Sequence, residues 1–256
     1  MNNQEKYKFE EFTITNYRKM IQIAKNNNFQ FKFFFEKTDI KSKAIFWRHD
    51  VEFSPFVALN MAEIEASEGV KATYFFQLHA EFYNVLEKAI SEIVFKIKSY
   101  GHDIGLHFDS HYFNVTTEKD LEKYLALDTR FFNEIFNMDV KVFSFHNTND
   151  FVLSCEEDRY AGLINVYSKY FKENFSYCAD STGYWRYERL ADVLNNPAVH
   201  RLQVLTHDAM WSKEILPPRQ RVFLSIDENA QRIKKWYDST LKIFKAKNVD
   251  LDNVYE

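Results

Sequence analysis

The chain has 256 residues, of which 46% are hydrophobic and 18% aromatic, with 26 Phe against five Gly and four Pro. This suits a domain with a large core and excludes collagen-like or disordered chain. A net charge of −4 gives no electrostatic basis for binding nucleic acid or anionic membrane, and no stretch reaches the roughly 18 uncharged apolar residues of a membrane span.

In chain order, Tyr17, Met20, Ile21 and Ala24 recur at helical spacing within residues 10–35, and Asn26-Asn27-Asn28 ends that helix. The aromatic run Phe29–Phe35 is expected to pack over an edge or the bottom of a barrel. Residues 44–52 read as a strand ending in charge, Arg48-His49-Asp50-Val51-Glu52. Ser54 and Pro55 then start a helix that stops at Gly69. Residues 71–79 form a second strand ending in His79, followed by a loop with Tyr83 and Asn84. A helix runs from Val85 to Ile97 and closes at Gly101. A third strand reaches Leu106 and leaves through His107-Phe108-Asp109-Ser110-His111. Thr117 opens a helix to about Phe136 by a capping box with Asp120 in place of Glu or Gln. Residues 140–146 are a fourth strand ending in His146, and 157–171 a helix or a helix–strand pair. Residues 175–180 and 201–207 are strands ending in Asp180 and His207. Pro217-Pro218 breaks the chain before a polar helix over 226–247, with Ile226, Ile233, Trp236, Leu241 and Phe244 expected inward.

Strands alternating with helices imply a parallel sheet in a single α/β domain over 1–256. A barrel of seven or eight strands fits better than an open sheet, because polar residues end nearly every strand rather than lining one crevice. GxGxxG and GxxxxGK[ST] are both absent, against dinucleotide and phosphate-loop readings. Cys155 and Cys178 form no CxxC pair and read as free thiols of a reducing compartment. The polar start Met1-Asn2-Asn3-Gln4-Glu5-Lys6 has no secretory signature, so the expected location is cytoplasmic.

Asp50, Glu52, His79, His107, Asp180 and His207 stand at strand ends, with His111 and His146 close by. In a barrel such positions converge on one face. Each residue alone has a structural alternative: Asp50 as an N-cap or partner of Arg48, His79 and His146 as rim histidines. His102, beside Gly101, is read as structural. Two histidines and a carboxylate with an open position form the ligand set of a catalytic zinc site, which acidifies water and polarises a carbonyl. Asp50 and Glu52, two apart, face the same side, so that one can bind metal while the other takes a proton. His207 on the opposite wall would protonate a leaving amine. The residues suggest metal-assisted hydrolysis of an amide or ester.

The ordered segments His49-Asp50-Val51-Glu52, Gly69–Phe75, Gly101–His107 with His111, Phe143–His146, Asp180-Ser181 and Leu205-Thr206-His207 resemble the motifs of the polysaccharide deacetylase superfamily (NodB homology domain, carbohydrate esterase family 4). The closer likeness is to a branch with an "RHDVD" first motif, associated with surface-glycan synthesis. The resemblance spans about 44–211, with an N-terminal and a C-terminal helix packed on that core.

It implies a deformed (β/α)₇ TIM-like barrel, one divalent metal, zinc above others, and removal of an N-acetyl group from a sugar or glycan precursor. By motif position Asp50 is the general base, Glu52, His107 and His111 are the metal ligands, and His207 is the acid, tuned by Asp180. Leu205 lies near the acetyl pocket and Trp185 in the groove wall. His146, Tyr83 and Asn84 join the substrate-binding set, and Tyr184 and Trp211 are further rim aromatics. Two departures stand out. Glu52 replaces the usual Asp, a methylene that moves a carboxylate by about 1.5 Å where geometry must hold to roughly half an ångström. His146-Asn147-Thr148 stands where many members carry an Arg that orients the base. The alternatives are an amidase acting on another glycan amide, or an inactive sugar-binding homologue.

Overall fold

The sheet is built around the fully buried strand β2, and its two faces decide what lies where. The computed structural model describes residues 2–38, 42–246 and 248. In chain order the elements are α1 Asn3–Tyr7, α2 Ile14–Asn26, β1 Gln30–Phe31, β2 Ala44–Val51, α3 Pro55–Ser67, β3 Thr73–Phe76, α4 Lys88–Ser99, β4 Asp103–Phe108, α5 Glu118–Phe136, β5 Val142–Phe145, α6 Asp150–Ser154, β6 Arg159–Tyr160, β7 Leu163–Asn165, α7 Lys169–Asn174, β8 Ser176–Ala179, α8 Leu190–Asn195, β9 Arg201–His207 and α9 Pro218–Ile243. Strand order is β6-β7-β5-β4-β3-β2-β9-β8, with β1 beside the start of β2. All pairings are parallel except β6 with β7. Among the described residues β6 and β8 end the sheet without pairing to each other, so the barrel is deformed and open on one side. The segment read as 157–171 is a hairpin and a short helix. Its two-residue turn, Ala161-Gly162, has positive φ at both positions, the geometry that matches strand twist.

Period-two alternation sorts the side chains. Phe46, Phe75 and Val142 fill the interior of the curl together with Phe34, Val166, Phe171 and Phe175. Phe34 stacks on Phe46 at 4.8 Å, so the aromatic run after α2 plugs the bottom of the barrel as expected. Gly105 makes this filling possible: a Cβ there would lie 2.5 Å from the Phe75 ring. Above the plug the inward row of β2 continues as Arg48, Asp50 and then Glu52.

The outward row, Ile45, Trp47 and Val51, joins the main core with α2, α3, α4 and α5. His49 also faces outward, into a buried polar knot. The Glu65 carboxylate receives the hydroxyls of Tyr17 and Tyr74 and lies 2.6 Å from His49 Nε2, while His49 Nδ1 lies 2.7 Å from the Thr206 hydroxyl. His102 is buried beside this knot, its Nε2 at 3.0 Å from the Ala62 carbonyl, a structural role as the sequence suggested. Every member except solvent-free Thr206 is titratable, and each is satisfied by a neighbour.

Two helices depart from the sequence reading. α5 begins at the Thr117 cap, but Asp120 is too short to close a capping box and accepts the Thr117 hydroxyl at 2.8 Å instead. α9 starts at Pro218, eight residues before the expected 226, and does not turn its apolar residues inward. Ile233, Trp236 and Phe244 are 50%, 63% and 76% exposed; only Arg221 and Ser225 are buried, Arg221 reaching the carbonyls of Leu216, Gly183 and Met210. No helix of the described residues is long and apolar enough to cross a membrane.

Candidate metal and catalytic site

The C-terminal ends of β2, β4, β5 and β9 converge, as a curled parallel sheet requires. Glu52, just past β2, places Oε1 3.0 Å from His107 Nε2 on β4 and 2.9 Å from His146 Nδ1 after β5; the two nitrogens are 3.3 Å apart. Among the described residues these three form the group able to hold a metal ion. Ligands about 2.0–2.1 Å from a tetrahedral ion would stand roughly 3.4 Å from one another, so this triangle is close to the required size.

The hydrogen-bond order behind His107 also fits. Its Nδ1 is 2.7 Å from Ser144 Oγ, and Ser144 donates to Asp50 Oδ1 at 3.3 Å. With Nδ1–H donating to the hydroxyl, the Nε2 lone pair is left facing Glu52 and His146, the usual arrangement of a metal-ligating histidine. Burial pushes the Glu52 carboxyl upward, but His207, His107 and His146 overcome it and hold Glu52 well below the usual range. His146 is raised for the reciprocal reason: Glu52 outweighs burial.

His111, expected as the third ligand, is not brought into this group. It is exposed on the loop after β4, with Nε2 2.7 Å from the Asn147 carbonyl. Asp109 and Ser110, in an irregular loop, separate it from the end of β4, whereas His146 follows directly on β5, which lies beside β4. His146, expected to contact substrate, takes that corner. Gln77 Nε2 and Asn147 Nδ2 reach its ring at 2.7 and 2.8 Å.

Asp50 lies on the same inward row as Glu52. Arg48, two residues earlier on that row, donates from Nη2 to Asp50 Oδ2 at 3.1 Å and to Tyr167 at 2.8 Å. Its guanidinium is fully buried and stands 4.8 Å from the Tyr167 ring centroid. An arginine therefore does face this carboxylate, from β2 itself rather than from the segment after His146.

On the opposite wall His207 Nδ1 is 2.6 Å from Asp180 Oδ1, and the same carboxylate accepts the His207 backbone N–H and the Trp211 indole N–H at 2.9 Å. Burial alone would depress His207, but Asp180 and Glu52 push it up to about 10. Asp208 accepts the backbone N–H groups of Glu52, Phe53 and Ser54, fixing the turn that presents Glu52.

A cleft of about 650 Å³ runs past Asp50, Glu52, Leu205 and His207. Its aromatic walls are Tyr167, Tyr177 and Tyr187. Several residues expected there serve structure instead. Trp185 packs on Phe12 and Trp211, Trp211 is buried, and Tyr184 packs on Tyr7. Tyr83 donates to the Val51 carbonyl at 2.8 Å and accepts the Gln77 N–H, tying two strand ends together. Asn84 is exposed and caps the turn at Leu86. His79 stacks on Tyr112 at 3.7 Å and meets Asp128. Sequence reasoning passed over Ser144, Gln77 and Asp208. The first two were legible in principle, since each stands on an inward row two residues from, or level with, a named residue; the reach of Asp208 back to the 52–54 turn had no local signal.

No family model matches the chain, and no curated protein does. Among solved structures, a family 4 carbohydrate esterase from Bacillus anthracis is similar with a TM-score of 0.45 and 17% identity, covering 82% of this chain and 84% of that one. A CE4 family pseudoenzyme from Bacillus anthracis is similar with a TM-score of 0.42 and 13% identity over 75% of this chain and 63% of its own. A mutant described as a CE4 family pseudoenzyme has a TM-score of 0.41 and 15% identity, covering 77% of this chain and 64% of that one. These likenesses leave the activity to be argued from the residues.

Proposed function

We propose that the chain is a divalent-metal-dependent hydrolase that removes an N-acetyl group from a sugar or glycan precursor, as the motif resemblance to polysaccharide deacetylases suggests. The observation that carries this is the convergence of Glu52, His107 and His146 at 2.9–3.3 Å, with Asp50 beside them and the His207–Asp180 pair on the facing wall. One carboxylate and two imidazoles suit zinc better than calcium or magnesium, which prefer oxygen cages. When bound, the ion supplies Lewis acidity, polarising an acyl oxygen and acidifying a water molecule.

The chain's own residues divide the proton work. Asp50, held on one oxygen by Arg48 and on the other by Ser144, accepts the proton that the attacking water loses. His207, kept protonated by Asp180, delivers a proton to the sugar nitrogen as the carbon–nitrogen bond breaks. Leu205, in the cleft wall between them, offers an apolar surface to the acyl methyl. We place the reaction in the cytoplasm. In support, Cys155 and Cys178 are unpaired and buried, as thiols of a reducing compartment are.

The test is metal analysis of purified protein followed by amine release from a panel of acetamido-sugars, short precursors and polymers side by side. One transition metal per chain with amine release is expected. Metal-loaded protein that releases no amine from any of them would defeat the proposal.

A further inference from the structure

We propose that α9 is a dimerisation helix that pairs antiparallel with α9 of a second copy of this chain. The helix runs 26 residues, about 39 Å. Its first half is seated on the barrel: Arg221 is buried, Asn229 donates to the Phe82 carbonyl, and Arg232 forms a two-pronged pair with Glu87 at 2.6 and 3.1 Å. Beyond Arg232, among the described residues, the side-chain hydrogen bonds of 233–244 stay within the C-terminal segment, as Ser239 to the Lys235 carbonyl and Asn248 to Tyr237 show. Three helical turns therefore project from the body, and they carry Ile233, Trp236, Tyr237, Ile243 and Phe244, all at least half exposed. A projecting helix of this length is marginal in water, and an apolar one is more so.

The apolar residues are not scattered. Phe223, Ile226, Ala230, Ile233, Tyr237, Thr240 and Phe244 follow one another at alternating intervals of three and four, the spacing of a two-helix seam. The seam is complementary to itself when reversed. An antiparallel two-fold axis near residues 231 and 232 sets Ala230 against Ile233, Ile226 against Tyr237 and Phe223 against Thr240, so that a larger side chain meets a smaller one in each layer. The same register brings Asp227 of one copy to Lys234 of the other. Both flank the seam, both are exposed, and neither has a hydrogen bond or ion pair within the described chain. In this arrangement the projecting half of each helix, with Trp236 and Ile243 on its adjoining face, lies along the seated half of its partner. A parallel in-register pair would instead set Asp227 against Val222 and Lys234 against Asn229, with no opposite charge to meet.

The experiment is sedimentation velocity of the whole chain across a concentration series, with three variants. The wild type should sediment at twice the mass of the chain and Ile233→Asp at the mass of one chain. Asp227→Lys should weaken the dimer, and Asp227→Lys combined with Lys234→Asp should restore it. Restoration guards against misfolding, because a damaged fold would not recover when a second charge is changed. A wild type that stays at the mass of one chain, whether or not it adheres to vesicles of anionic phospholipid, overturns the proposal. So does a dimer indifferent to Ile233→Asp, or a double charge variant that dissociates further than the single one.

Discussion

Replacing His146 and His111 separately by Ala distinguishes the ligand set of the structure from that expected of the sequence. A four-donor zinc site binds with an apparent free energy of about 10–16 kcal/mol, or roughly 2.5–4 kcal/mol per donor. His146 Nδ1 is 2.9 Å from Glu52 and 3.3 Å from His107, so its loss removes one corner of the triangle. Zinc affinity should fall about 10²–10³-fold, at 1.4 kcal/mol per decade. The His111 side chain makes one exposed hydrogen bond, to the Asn147 carbonyl at 2.7 Å, worth about 1 kcal/mol and felt by the loop rather than the metal. His111→Ala should therefore bind zinc within a few-fold of the wild type. Competition with a chromophoric chelator gives both affinities, and circular dichroism checks the fold of each variant. Equal weakening by both variants, or weakening by His111→Ala alone, would refute the reasoning and restore His111 to the site.

Asp50→Asn should retain zinc and lose about 10²–10⁴-fold in amine release, measured at saturating metal. Asp180→Asn removes the carboxylate that is 2.6 Å from His207; since that group raises His207 to about 10, its pKa should fall and the basic limb of the kcat profile move to lower pH. Glu52 raises His146 above the usual imidazole range, so zinc binding should displace a proton from it and tighten as pH rises, followed with an indicator dye in weak buffer. Gly105→Ala drives a Cβ to within 2.5 Å of Phe75 and should cost about 1–3 kcal/mol or more in urea unfolding.

The barrel was legible because strand-ending charge recurs along the chain and survives small errors in element bounds. Asp50, Glu52, His107 and His207 come together for that reason: each stands in or next to a strand, and strand ends converge whatever the loops do. His111 and His146 changed places because the first hangs on an irregular loop, whose path depends on contacts such as that with the Asn147 carbonyl that no local pattern encodes. The rim aromatics failed similarly. Trp185 and Trp211 look alike as exposed groove residues or as core, and only the fold shows that Phe12 and Asp180 claim them. Arg48 was visible as a partner for Asp50, but its place on the same inward row, facing that carboxylate, became clear only when the row was traced. In α9, the spacing of Ile226 and Ile233 identified a helix face; that among the described residues the body reaches only to about Arg232, leaving Ile233 half exposed, is a fact of tertiary structure.

The polar groups on both faces of β2 have a consequence for how the sheet assembles. Inward, Arg48 and Asp50 meet Tyr167 and Ser144; outward, His49 meets Glu65 and Thr206. A slip of one residue would exchange the rows, pressing Arg48 and Asp50 among apolar helices and Trp47 into the barrel. Stranding one half of a buried ion pair costs about 3–5 kcal/mol, comparable with the whole stability of many domains. Misaligned assemblies of this chain are thus rejected by electrostatics as they form: the charged row that leads to the candidate metal site also proofreads its alignment during folding.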